Sequence, residues 1–149
     1  MTTIAQNRKA YHDYEILEKV EAGIVLCGSE VKAIRAGKVN LSDSYAQSTD
    51  DGELYIHHMH ISPYDHVSFS VPDPYRKRKL LLKKKQIFHL TTEVERKQLT
   101  LIPLSMYFKK QWVKVEIALC RGRKKWDKRQ KIAENESKRK LQQLMNRRG

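Results

Sequence analysis

Long apolar stretches are missing from this 149-residue chain, where no uninterrupted run exceeds four residues, as in Ile24–Cys27. A membrane-spanning helix needs about 20 predominantly apolar residues, so none is expected. Met1 to Glu15 likewise lacks the apolar core of a secretory signal, which points to the cytosol. There are only two cysteines, Cys27 and Cys120, each inside an apolar, strand-like run; a reduced, buried pair is expected rather than a disulfide scaffold. The sequence has no glycine-rich phosphate loop, no nucleophile elbow and no Cys–His pair in a supporting context. Acidic residues are scarce in the second half. Residues 71–149 carry 24 Lys and Arg against 7 Asp and Glu, net +17, whereas residues 1–70 carry 6 against 10, net −4. A polyanionic partner, reached mainly through the second half, follows from that asymmetry.

Hydrophobic residues make up 40% of the chain, enough for an ordinary core. The apolar segments are short and bounded by turn residues, which favours strands over a helical bundle. Tyr14–Val20 and Gly23–Cys27 read as two strands around a turn at Glu21–Gly23. Leu54–Ile61 follows the turn Asp50-Asp51-Gly52 and places Leu54, Ile56, His58 and His60 on one face. Leu99–Phe108 and Val113–Cys120 flank the polar turn Lys109-Lys110-Gln111, with Val113, Val115, Ile117 and Leu119 alternating against Lys114, Glu116 and Ala118. Pro103 marks an edge or a bulge. Ser29–Ala36 fits a short helix stopped by Gly37, with Val31 and Ile34 inward and Glu30, Lys32 and Arg35 outward. A second helix is expected from about Lys79 to His89. These elements suggest a mainly β chain: a small closed antiparallel barrel over residues 1–120, with two or three short helices. Residues 121–149, with 12 basic and 3 acidic side chains, form a basic tail that is expected to be disordered alone. Leu141, Leu144 and Met145 in that tail lie at i, i+3 and i+4, which allows an amphipathic helix on an anionic partner.

Three basic clusters carry the chemistry: Arg76-Lys77-Arg78-Lys79, Lys83-Lys84-Lys85, and Arg121–Arg129. Their phosphate contacts would supply affinity through counterion release and little sequence information. Tyr75 and Trp126 are interleaved with them, and Trp126 suits stacking on an unpaired base. His57, His58 and His60 do not make a zinc site, because no further Cys or His lies at ligand spacing. No metal or cofactor is expected. The acids are too scattered for a metal-dependent nuclease, so catalysis is not expected either.

The blocks NRKAYHDYEILEKVEAGIVLCGSEVKAIRAGKVNLSDSYA (7–46), DPYRKRKLLL (73–82), LIPLSMYFKKQWVKVEIAL (101–119) and RGRKKWDKR (121–129) occur in that order. Together they closely resemble the SmpB family of bacterial SsrA-binding proteins. The resemblance implies an oligonucleotide-binding (OB) type barrel with accessory helices and a basic tail. It implies a partner, the tRNA-like domain of transfer-messenger RNA, carried with elongation factor Tu and GTP to stalled ribosomes for trans-translation, by a monomeric protein that is not an enzyme. Carried over block by block, the RNA-binding surface would include Asn7, Arg8, Lys9, His12, Glu21, Arg35, Arg76, Arg78, Lys79, Leu81 and Lys114. Arg121, Arg123, Lys124, Trp126, Asp127, Lys128, Arg129, Leu144 and Met145 would act on the ribosome, in the decoding centre and the vacant mRNA channel of the small subunit. Ala33 stands where the family often has Ser. Trp126 replaces a His or Tyr, which keeps the capacity to stack, and Arg123 replaces a Lys.

Overall fold

A computed structural model of the chain describes residues 2–63, 72–123 and 139–140. In chain order the elements are β1 (Thr2–Gln6), α1 (Arg8–Asp13), β2 (Tyr14–Ile24), α2 (Gly28–Arg35), β3 (Val39–Asn40), β4 (Tyr45–Ser48), β5 (Leu54–His57), β6 (His60–Ile61), β7 (Arg78–Leu81), α3 (Lys84–Lys97), β8 (Thr100–Lys109) and β9 (Trp112–Gly122). The main sheet is antiparallel, in the order β1-β8-β4-β5-β7-β2-β9, and β9 also pairs with β8. The pairings therefore run β8-β4-β5-β7-β2-β9 and back to β8, the OB-type arrangement, with three helices among the described residues. Closure between β4 and β8 rests on one pair, Ala46 and Leu101. Inside lie Ile34, Leu54, Ile56, Leu80, Met106, Val115 and Ile117, all fully buried.

Alternation of apolar and polar residues builds β9, but Ile117, Ala118, Leu119 and Cys120 are buried on both faces. The reason is a second apolar cluster outside the ring, where Ala10 of α1 packs on Ile102, Leu104, Ala118 and Cys120. The Cys120 thiol is pushed up to about 12 by burial and stays protonated. Cys27, expected to be buried, is instead exposed at the start of α2.

Other elements differ from the sequence reading. β2 is one continuous strand through Glu21–Gly23, because its partner β9 is long enough to pair from Tyr14 to Gly23. The Leu54–Ile61 run breaks at His58, whose φ is +60°, and so divides into β5 and β6; Leu54 and Ile56 keep the buried face, while His58 leaves it. Residues 78–81 form a strand rather than the start of a helix, and α3 begins at Lys84 and runs to Lys97. Short-range apolar spacing cannot separate a buried strand from a helix turn, and pairing with β2 and β5 decided it. Pro103 sits at a register shift between β8 and β9, as a bulge. The body extends through Arg121 and Gly122 in β9, and Arg123 N–H donates to Asp13 O at 2.9 Å. Among the described residues no helix is long and apolar enough to cross a membrane.

Glu30, expected outward on α2, is 3% exposed. Its Oε1 accepts from the Cys27 N–H at 2.9 Å and from Arg76 at 2.5 Å; its Oε2 accepts from Arg78 Nε at 2.7 Å. Arg78 is itself fully buried and also donates to the carbonyls of Met59 at 2.6 Å and Pro74 at 3.1 Å. Burial disfavours the charge on Glu30, but the hydrogen bonds from Arg76, Cys27 and Arg78 outweigh it and hold its carboxyl below the usual range. This hub joins α2, the 59–61 segment and β7.

Removing one partner of a buried pair strands the other charge, at a cost of about 3–5 kcal/mol. Glu30→Gln should therefore lower the unfolding free energy by about 3 kcal/mol in urea titration at neutral pH. Because the carboxyl is held low in the folded state, the wild-type advantage should persist above the ordinary glutamate range and vanish as pH falls through the folded value. An unchanged urea midpoint at neutral pH would contradict the hub.

Candidate nucleic-acid interface

Residues directly opposite each other in neighbouring antiparallel strands project from the same face. Leu81 of β7 opposes Gly23 of β2, Gly23 opposes Lys114 of β9, and Lys114 opposes Tyr107 of β8. One row across four strands thus carries Leu81, Lys114 and Tyr107 on the outer face of the barrel. Two residues along each strand, on the same face, lie Glu21 and Glu116, which are paired, and Lys109 and Trp112, also paired. Glu21, Leu81 and Lys114, drawn from three separate sequence blocks, are brought together here.

Each side chain in the row has a local reason for its position. A Cβ on Gly23 would lie 3.2 Å from the Leu81 Cβ, so glycine at this place lets Leu81 lie down on the β2 backbone. Leu81 remains 51% exposed, and Trp112 65%. Tyr107 is buried in the face and donates its hydroxyl to Glu21 Oε2 at 2.5 Å, while Lys109 Nζ donates to Glu21 Oε1 at 3.3 Å. The Tyr107 hydrogen bond holds the Glu21 carboxyl below the usual range against the opposing effect of burial, with Lys109 and Lys114 adding to it. The phenol of Tyr107 is pushed up by burial and by the same hydrogen bond, so it stays a donor. The carboxylate is therefore already occupied by two donors, and its effect is to fix Lys109 beside Trp112.

The face continues onto α1. Lys19 Nζ lies 5.8 Å from the centre of the Tyr11 ring and 3.9 Å from Glu116. Arg8, Lys9 and His12 are exposed on α1; Lys9 pairs with Asp43 at 3.1 Å, and His12 Nδ1 lies 3.0 Å from Asp13 Oδ1. α1 is placed by Asn7, which is 2% exposed. Its side-chain oxygen caps the helix at Ala10 N–H, 3.1 Å, and its amide nitrogen donates to Leu41 O at 3.1 Å and Pro103 O at 3.0 Å. Asn7 thus positions α1 and is itself buried.

The Arg78 guanidinium is likewise interior, and Arg76 donates to Glu30 through one terminal nitrogen. Lys79 pairs with Glu53 at 3.3 Å, on the outer side of β7. Arg35 sits on α2 over the Phe108 ring, 5.5 Å from its centre. Arg121 is exposed at the end of β9, 3.9 Å from Glu15. Lys124, Trp126, Asp127, Lys128, Arg129, Leu144 and Met145 lie outside the described residues. Sequence reasoning missed Tyr11, Lys19, Tyr107, Lys109 and Trp112. The alternation read from Val113 onward would have reached Trp112 if extended one residue back. Among the described residues no group of three His, Cys, Asp or Glu is placed to hold a metal ion.

Because the Tyr107 hydroxyl is the largest influence on the Glu21 carboxyl, Tyr107→Phe should raise the pH at which that carboxyl titrates, read by carbon NMR of the side chain. An unchanged titration would show that this contact does not form in solution.

Comparison with known proteins bears on what this face belongs to. The family model described as SmpB protein matches residues 4–147. The SsrA-binding protein of Syntrophobacter fumaroxidans is 52% identical over 145 residues, covering 97% of this chain and 89% of the relative. Those of Thermoanaerobacter pseudethanolicus and Desulfitobacterium hafniense (strain Y51) are 53% and 50% identical, each covering 93% of this chain and 88% of theirs. A solved chain from "tmRNA-SmpB: a journey to the center of the bacterial ribosome" is 51% identical, with a TM-score of 0.68, covering 81% of this chain and 85% of its own. A match over nearly the whole length, in both sequence and fold, leaves one reading: this chain belongs to the SmpB family.

Proposed function

We propose that this chain binds the tRNA-like domain of transfer-messenger RNA through the outer face described above, and accompanies that RNA to stalled ribosomes for trans-translation. The observation that carries the reading is the convergence of Glu21, Leu81 and Lys114 into one patch, with exposed Trp112 and Lys109 beside them. Folded RNA exposes readable surface where loops leave bases unstacked, and apolar or aromatic side chains suit those bases. Leu81 and Trp112 supply that contact. Lys114 and Lys109 supply phosphate contacts, and Arg8, Lys9 and Lys19 extend them along α1. Glu21 works by holding Lys109 rather than by touching a base, a role supported by the Lys109 contact with its carboxylate.

The same reading assigns the remaining parts. Residues 124–149 act on the ribosome, with Trp126 stacking on a base and Leu144 and Met145 forming the apolar stripe of a helix in the vacant mRNA channel. Elongation factor Tu with GTP accompanies the RNA during delivery. The protein works as a cytoplasmic monomer and as a binding protein rather than an enzyme. Family membership, the basic second half and the absence of catalytic motifs in the sequence support this assignment.

Competition binding tests the reading. The protein should prefer purified tRNA-like RNA to unstructured RNA of equal length, and Leu81→Ala should weaken that binding roughly tenfold, about 1.4 kcal/mol. Lys114→Ala should reduce the slope of log affinity against log salt by about 1. Equal affinity for both RNAs would reduce the chain to a general single-strand binder. Since the body runs through Arg123, truncation after that residue should spare RNA binding and abolish peptide tagging in a translation assay. Loss of both activities would refute the division of labour.

A further inference from the structure

A second concentration of rings lies away from the outer row. His58 separates β5 from β6 with φ at +60°, a region that residues with a side chain rarely occupy. Such backbone persists where the surroundings impose it, and it clusters at ligand-binding places. Its consequence is that consecutive imidazoles both reach Tyr45. The ring of His57 lies 5.2 Å from that of Tyr45 at 10°, and the ring of His58 lies 5.4 Å away at 27°. Beyond the break, His60 leans on Tyr75, with centres 4.8 Å apart at 58°.

His58, His60 and Tyr75 line an open cleft of about 460 Å³ together with Asn40 and Asp43. The rings are not needed for the core, since Tyr75 is 59% exposed. The polar pair is equipped for edge recognition. Asn40 Oδ1 accepts from Ser42 N–H at 2.8 Å, which leaves the amide nitrogen as the donor toward a ligand. Asp43 is an acceptor whose charge is balanced by Lys9 Nζ at 3.1 Å. Among the described residues no lysine or arginine lines the cleft, and the Asp43 carboxylate in it repels a phosphate. A flat, neutral ring with hydrogen-bonding edges fits better. The Lys9–Asp43 pair also joins the cleft to α1, the border of the outer face.

We propose that this cleft receives one unpaired nucleobase of the bound RNA, stacked against Tyr75 and His60 and held at its edge by Asn40 and Asp43. The proposal rests on the RNA-binding function above and adds a second, separate contact to it. An aromatic ring under a single base suits single-stranded positions of any sequence, while a donor and an acceptor side by side add orientation.

Fluorescence anisotropy with purified tRNA-like RNA tests it, using the full chain. Tyr75→Ala should weaken binding roughly ten- to hundredfold, and Tyr75→Phe should keep most of the affinity. A series of the same RNA, each with a single abasic nucleotide, gives the sharper readout. One abasic position should weaken binding to the unaltered protein by the same factor and should cost nothing further in Tyr75→Ala. Tyr75→Ala should leave the urea midpoint unchanged, as expected for an exposed ring. If Leu81→Ala weakens binding but Tyr75→Ala does not, or if no abasic position couples to Tyr75, the cleft proposal fails and the outer-face reading stands. If the unaltered protein shows no preference for tRNA-like RNA, the outer-face reading itself fails.

Discussion

β2 is held on both edges, by β9 along almost its whole length and by β7 at its end, and the outer face depends on that double pairing. It is the alignment of three strands, rather than any one motif, that sets Leu81, Gly23 and Lys114 in a line. The line tolerates little change at its centre. A side chain at Gly23 would crowd Leu81, and Leu81 could then no longer lie against the strand. Rigid elements hold a recognition surface more accurately than loops do, and here every member of the row comes from a strand.

The basic character of the sequence is spent in two different ways. Part of it is structural: the Arg78 guanidinium faces inward, where Glu30 and backbone carbonyls accept from it, and Arg76 donates to Glu30. Part is partnered at the surface, as with Lys9 and Asp43, Lys79 and Glu53, or Lys109 and Glu21. Exposed ion pairs of this kind add little stability, and they are screened by salt. Their effect is on placement: a lysine steered by a carboxylate presents its ammonium at a defined point on the face. A count of lysines and arginines therefore overstates the exposed positive charge of the cluster at 76–79, where Arg78 is interior.

Part of the sheet was legible in the sequence because alternation in β9 and the turn signals before β5 and between β8 and β9 are local properties. The helix at Ser29–Ala36 was legible for the same reason, from its glycine stop at a φ of +75°. What failed were decisions settled by distant partners. Glu21–Gly23 looks like a turn until β9 is present to continue the pairing. Lys79–Leu82 looks helical until β2 and β5 claim it. Glu30 looks solvent-facing on its helix, and only the arrival of Arg76 and Arg78 from 46 and 48 residues away makes its burial tolerable. The site followed the same pattern. Glu21, Leu81 and Lys114 came through resemblance to a family, whereas Tyr107 and Trp112 needed the register of β8 and β9. Asn7 came through the same resemblance, and only the folded chain shows it as a buried cap of α1.

The central claim is that folded RNA meets the row across β7, β2, β9 and β8. Titration of nitrogen-15-labelled protein with the isolated tRNA-like RNA, followed by amide chemical shifts, tests it residue by residue. The account predicts the largest changes at Glu21–Gly23, Leu81, Tyr107–Lys114 and along α1. Changes confined to the exposed side of α3, with the row unmoved, would contradict it.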